Sequence, residues 1–218
     1  MDRKLAFPLL ILSFIIACWQ LFFMPLRTIW VIIPVGLLGL GYIFPVIPTL
    51  NGWKRLRDFY WLKVLWIAFA FSWLTTFLPV IYTDSQQARH FISLLSPSVI
   101  FIFLRSFLFI SALCIPFDIR DVNFDKMRGM KTLPVIAGIK KSVLIAVALL
   151  CVFMLLVVFQ HFRFGFGGHE TIALLLSGSI AMIAVSLANP ERPKLLFPIM
   201  YDGAMLLQWG LVLLFIHL

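Results

Sequence analysis

Three aspartates, Asp118, Asp121 and Asp125, stand at i, i+3 and i+7 in the stretch "DIRDVNFDKMRG". The chain has only nine acidic residues, so this is a dense gathering of negative charge. At 100° per residue the three carboxylates fall within an arc of about 60° on a helix. Like charges so close repel, and a bound cation removes the penalty. Carboxylate oxygens with no Cys or His beside them suit a hard ion, Mg²⁺ rather than Zn²⁺. Mg²⁺ keeps few protein ligands and completes its octahedron with water and substrate phosphates. Lys126, Arg128 and Lys131 follow directly, and more cations lie in "GWKRLRDFYWLK". Carboxylates for a metal and cations for phosphate oxygens describe a diphosphate site. Its chemistry would be departure of diphosphate from an apolar chain, with the metal and the cations stabilising the charge on the leaving group. The plainer alternative is a solvated charged loop.

The elements that must position these residues are membrane helices. Hydrophobic residues make up 62% of the 218 and charged residues 12%, about half the charged share of a soluble domain. The apolar runs are long and unbroken rather than alternating, so helices and not a β-barrel satisfy the backbone in lipid. Seven spans are expected, at about 5–24, 29–48, 62–82, 91–117, 142–160, 171–188 and 195–217. Each is long enough to cross a bilayer. The first lacks a small-residue cleavage site and reads as a retained span rather than a signal peptide. Connections are short, so residues 1–218 form one transmembrane domain. Cys18, Cys114 and Cys151 are scattered in apolar runs, which argues against disulfides or a metal cluster.

Alternation assigns the loops to sides. One side collects Arg3, Lys4, Lys54, Arg55, Arg57 and Lys63, then Arg120, Lys126, Arg128 and Lys131, then Lys140, Lys141, Arg192 and Lys194, fourteen in all. The other side has three, Arg27, Arg89 and Arg163. By the positive-inside rule the first side is cytoplasmic, with the N-terminus inside and the C-terminus outside. The net charge of +9 therefore reflects cytoplasmic loops and not nucleic-acid binding. The expected setting is a lipid bilayer such as a bacterial inner membrane. Two charges lie deep within spans, Arg105 in the fourth and Asp202 in the last. Counted from the cytoplasmic ends, Arg105 is about 20 Å in and Asp202 about 12 Å in. A lone charge in lipid is costly, so the two are expected to pair. The opposite loop "HFRFGFGGHE" carries His161, His169 and Glu170 without metal-ligand spacing and reads as solvated.

"DIRDVNFDKMRGMKTLPVIAG" resembles the second aspartate-rich motif of the UbiA superfamily of intramembrane prenyltransferases. That motif is D-x-x-D-x-x-x-D followed by G-x-K-T-L-P, here Asp118, Asp121 and Asp125, then Gly129, Lys131, Thr132, Leu133 and Pro134. "GYIFPVIPTLNGWKRLRDFYWLK" is similar to the family's tyrosine-then-basic loop two spans earlier and contributes Tyr42 and Arg57. The resemblance implies an all-α bundle made of the family's last seven helices. It implies transfer of a polyprenyl group from its diphosphate to a lipophilic acceptor such as an aromatic ring, at the cytoplasmic face. Asp118, Asp121 and Asp125 would hold Mg²⁺ as the catalytic ligands. Tyr42, Arg57, Lys126, Arg128 and Lys131 would bind the diphosphate. The family's first motif, N-D-x-x-D-x-x-x-D, lies on two helices that would precede Met1, and this sequence does not contain it. Two readings follow: a truncated form of an enzyme, or a catalytically degenerate relative acting as a membrane binding or assembly protein. A transporter is a distant third, because no internal repeat is evident.

Overall fold

The computed structural model describes residues 25–49, 52–59, 62–86 and 96–216, with positions 8, 11–13, 15–16, 19–20 and 23 before them. At 27, 57, 83–86 and 216 only the backbone is described. The first expected span, 5–24, falls largely outside these residues. The rest is an all-α bundle, with one small hairpin. Helix α1 is Leu26–Ile43, α2 is Lys63–Gln86, α3 is Pro97–Arg120, α6 is Ile139–Phe164, α7 is Gly168–Ser186 and α8 is Gly203–Ile216. Two short helices, α4 (Val122–Met127) and α5 (Leu133–Ala137), link α3 to α6. Five helical stretches are long and apolar enough to cross a membrane, and Thr28–Ile43 is a shorter apolar helix. Their outward faces carry residues such as Leu144, Leu155, Phe162 and Leu206, all widely exposed. In lipid such faces are solvated by acyl chains, so the protein is an integral membrane protein.

The second expected span stops short. α1 ends at Ile43 rather than at 48, and an antiparallel hairpin follows, Ile47–Thr49 (β1) against Gly52–Lys54 (β2). The cause is local. Pro45 and Pro48 drive the residues before them out of the helical region, and neither can donate to a helical ladder. A 3₁₀ turn at Leu56–Asp58 comes next, closed by the Arg55 amide donating to Asp58 Oδ2 at 2.9 Å. This loop folds back on α1: a Cβ at Gly41 would stand 2.9 Å from Leu56 Cδ1. Glycine at 41 thus lets the loop reach the end of α1, where Tyr42 sits.

α3 is the central helix. It starts at Pro97 behind Ser96, whose Oγ accepts from the Val99 amide. It buries Phe109, Ala112, Leu113, Ile115 and Ile119 against α2, α6 and α7. Phe109 meets Phe153 of α6 with ring centroids 5.0 Å apart. On the other flank Phe103 packs edge-on to Phe69 and Trp73 of α2. Trp73 Nε1 in turn donates to the Val31 carbonyl of α1 at 2.9 Å. α7 approaches α6 at Gly178, where a Cβ would lie 3.0 Å from the Phe153 ring. Small residues that let backbones close up are the usual means of holding membrane helices, since lipid supplies no hydrophobic drive between them.

The expected pairing of Arg105 with Asp202 does not occur. Arg105 Nη1 donates to Gln160 Oε1 at 2.9 Å, and its guanidinium lies over the Phe166 ring, 4.7 Å from the centroid. Gln160 is 1% exposed. Depth counted from the cytoplasmic end alone does not decide which way a side chain near mid-helix turns. Arg105 is eight residues, about 12 Å, from the Pro97 end of α3, so its side chain turns to the end opposite Asp202. A double-mutant cycle of Arg105→Leu with Gln160→Leu, read by unfolding in detergent, is expected to show coupling of about 1–2 kcal/mol. The cycle with Asp202→Leu should be additive within about 0.5 kcal/mol. Coupling to Asp202 larger than to Gln160 would contradict this arrangement.

Candidate functional site

The aspartate run is not one continuous helix. α3 ends at Arg120, Asp121 takes φ −94° and ψ 6°, and α4 begins at Val122. The Asp125 amide still donates to the Asp121 carbonyl at 2.9 Å, so the turn is tight. Gly129, at φ +66°, then reverses the chain in a conformation that favours glycine. This brings Thr132 back under Asp125. The G-x-K-T-L-P run therefore has a local purpose: it returns a hydroxyl to the third aspartate.

Each carboxylate has its own partner. Asp118 is 2% exposed, and its Oδ1 accepts from Lys63 Nζ of α2 at 2.9 Å. Its Oδ2 is buried and has no hydrogen-bond partner among the described residues. Asp125 is 4% exposed and accepts from Thr132 Oγ1 at 3.0 Å. Asp121 is engaged through both oxygens by its neighbour Arg120, at 2.9 and 2.8 Å. The Arg120 guanidinium holds the Asp121 carboxyl below the usual carboxylate range. Its hydrogen bond is the main cause; partial burial opposes it, and the charges of Arg120, Lys63 and Lys194 assist. The sign is that of a depressed acid: the pair stabilises the fold above the unfolded-state value near 3.9, and the contribution fades as pH falls through the lower folded value.

Two cavities meet at Lys63. A polar one of about 390 Å³ is lined by Tyr42, Asp58, Lys63, Asp125, Arg128, Met130 and Thr132. An apolar one of about 530 Å³ runs between α2, α3 and the start of the last helix, past Ile67, Phe71, Phe117 and Met205, with Lys63 and Asp118 in its wall. A smaller apolar space of about 240 Å³ lies beside them, with Tyr42, Ile67 and Phe71 in its lining.

Of the residues predicted from sequence, Tyr42, Asp125 and Arg128 come together around the polar cavity. Asp118 stands at the apolar one. Asp121 lines neither and faces Arg120. Lys126 and Lys131 are exposed and line none of these cavities. Arg57 has its backbone in the 3₁₀ turn, and its side chain lies outside the described residues. No group of three or more His, Cys, Asp or Glu side chains among the described residues is placed to hold a metal. Sequence reasoning passed over Lys63, Thr132 and Asp58. Lys63 was visible as the last cation of "GWKRLRDFYWLK", but nothing in the sequence pairs it with a residue 55 positions away.

The described residues thus form a membrane-embedded helical bundle whose aspartate-rich turn borders a polar and an apolar cavity that share Lys63 in their walls. The chain matches the UbiA prenyltransferase family over residues 1–210 and belongs to that family. No curated protein and no solved structure matches it. The family is one of membrane prenyltransferases, which bind polyprenyl diphosphates and lipophilic acceptors and generally use Mg²⁺ through aspartate-rich motifs.

Proposed function

We propose that this protein transfers a polyprenyl group from its diphosphate to a lipophilic acceptor at the cytoplasmic face. The observation that carries the reading is the meeting of the polar and apolar cavities at Lys63. A prenyl diphosphate has the same two halves. Its head fits the polar space, where Lys63 and Arg128 offer cations and Tyr42 and Thr132 offer hydroxyls. Its tail fits the apolar space along Ile67, Phe71 and Phe117. The fourteen-to-three bias of basic residues supports a cytoplasmic mouth.

Asp118 and Asp125 fit Mg²⁺. One or two carboxylates with substrate phosphates is its ordinary ligand set, and Asp118 has a buried oxygen without a partner. Asp121 would join them only by exchanging Arg120. When bound, the ion stabilises negative charge on the leaving diphosphate. Lys63 and Arg128 do the same from fixed positions, and Lys63 would pass from Asp118 to a diphosphate oxygen as the head group enters. The apolar walls exclude water from the allylic carbon, which favours capture by the acceptor over hydrolysis.

The test is a radiolabelled transfer assay with purified protein in lipid nanodiscs, over a panel of prenyl diphosphates and aromatic acceptors. Mg²⁺-dependent product is expected. Mg²⁺-dependent donor binding without turnover would support the non-catalytic alternative. Absence of both overturns the reading.

A further inference from the structure

We infer that Asp202 belongs to an acceptor subsite in the apolar cavity and takes the proton that the acceptor loses. This rests on the prenyl-transfer reading above. The charged groups in that cavity's lining are Lys63, Asp118 and Asp202. Lys63 and Asp118 are paired at 2.9 Å, and the reading above takes both for the diphosphate and its metal. Asp202 has no hydrogen bond or ion pair among the described residues, and Arg120, the nearby cation, is held by both oxygens of Asp121. Asp202 is exposed, with the charge of Arg120 acting on it only through space, and a carboxylate in a membrane span is expensive unless it faces a counter-charge, a polar ligand or water. The cavity is where Asp202 meets one.

The backbone aims it there. Pro198–Asp202 is a π-helical turn at the head of α8. Its wider i→i+5 pairing displaces the side chains around the axis relative to a plain α-helix, a device found most often at functional sites. Tyr201 is 1% exposed and donates its hydroxyl to the Ala184 carbonyl of α7 at 3.2 Å. That anchor pins the turn on one side while the next residue, Asp202, lines the cavity on the other. Phe117 lies in the same lining, so a flat apolar acceptor has a surface to rest on while its acidic proton meets the carboxylate.

The step balances without a redox partner. The C1–O bond of the allylic donor breaks, and both electrons leave with the diphosphate. The acceptor supplies the electron pair for the new bond to C1. The proton it held on oxygen, nitrogen or ring carbon passes to an Asp202 carboxylate oxygen and then to water.

The isosteric variant Asp202→Asn tests the role in nanodiscs, with melting in detergent to confirm that it is folded. Acceptor-dependent transfer is expected to fall by about 10²–10⁴-fold, the range of a lost general base. Donor binding and acceptor-independent release of diphosphate should stay within about twofold of the parent. Asp202→Glu should restore part of the transfer. A second readout needs no turnover: the fluorescent phenol naphthol should bind the parent protein about tenfold more tightly than Asp202→Ala, the worth of a charged hydrogen bond. Unchanged transfer in Asp202→Asn, or parallel loss of transfer, release and donor binding, overturns the proton-acceptor role. Equal naphthol binding overturns the acceptor subsite. A parent protein that neither transfers nor releases diphosphate overturns the prenyl-transfer reading, and the base role with it, while the naphthol result still decides the subsite.

Discussion

Replacing Lys63 by Met is expected to lower folding stability by about 3–5 kcal/mol, the cost of leaving a buried charge without its partner. Asp118 is 2% exposed, its Oδ1 depends on Lys63 at 2.9 Å, and its Oδ2 has no partner among the described residues. Lys63 thus carries most of the compensation for that carboxylate. The double variant Lys63→Met/Asp118→Leu should recover much of the loss, because an apolar pair of similar volume packs without desolvating charge. Unfolding in detergent across the full cycle gives the answer. A single variant as stable as the parent, or a double variant worse than Lys63→Met, would show that the pair does not hold α2 against α3. The same substitution should weaken prenyl diphosphate binding, since Lys63 stands where the two cavities meet.

Asp125→Asn is expected to weaken Mg²⁺-dependent binding of a prenyl diphosphate by about a hundredfold, whereas Asp121→Asn should cost about tenfold or less. All three aspartates look equivalent on a helical wheel. Their environments separate them. Asp125 lines the polar cavity, oriented by Thr132. Asp121 is turned to Arg120 and lines neither cavity that meets at Lys63. Removing its charge frees Arg120 but takes nothing from the space where the head group fits. Calorimetric titration with a non-hydrolysable thiolo analogue, with and without Mg²⁺, measures both variants. A larger loss in Asp121→Asn, or losses unchanged by omitting Mg²⁺, would reverse the ranking and overturn the proposal that Asp118 and Asp125 hold Mg²⁺.

The amino-acid sequence determined the class of the molecule and its family. Long apolar runs leave a backbone in lipid no choice but helices, so the helices found at Lys63–Gln86, Ile139–Phe164 and Gly168–Ser186 lie close to the spans expected there. The Asp118–Asp125 run and its Gly129–Pro134 tail could be read because their spacing is local, and a local pattern survives folding. The tertiary structure decided the rest, because each remaining question concerns which face of one helix meets another. Arg105 has two ends of α3 to choose from, and packing against α6 gave it Gln160. Lys63 looks like one cytoplasmic cation among fourteen until α2 lies against α3. Asp202 looks like half of an ion pair until a π turn points it into a cavity. Hydropathy and period are properties of one segment, while a partner is a property of two, and only the packed bundle brings the two together.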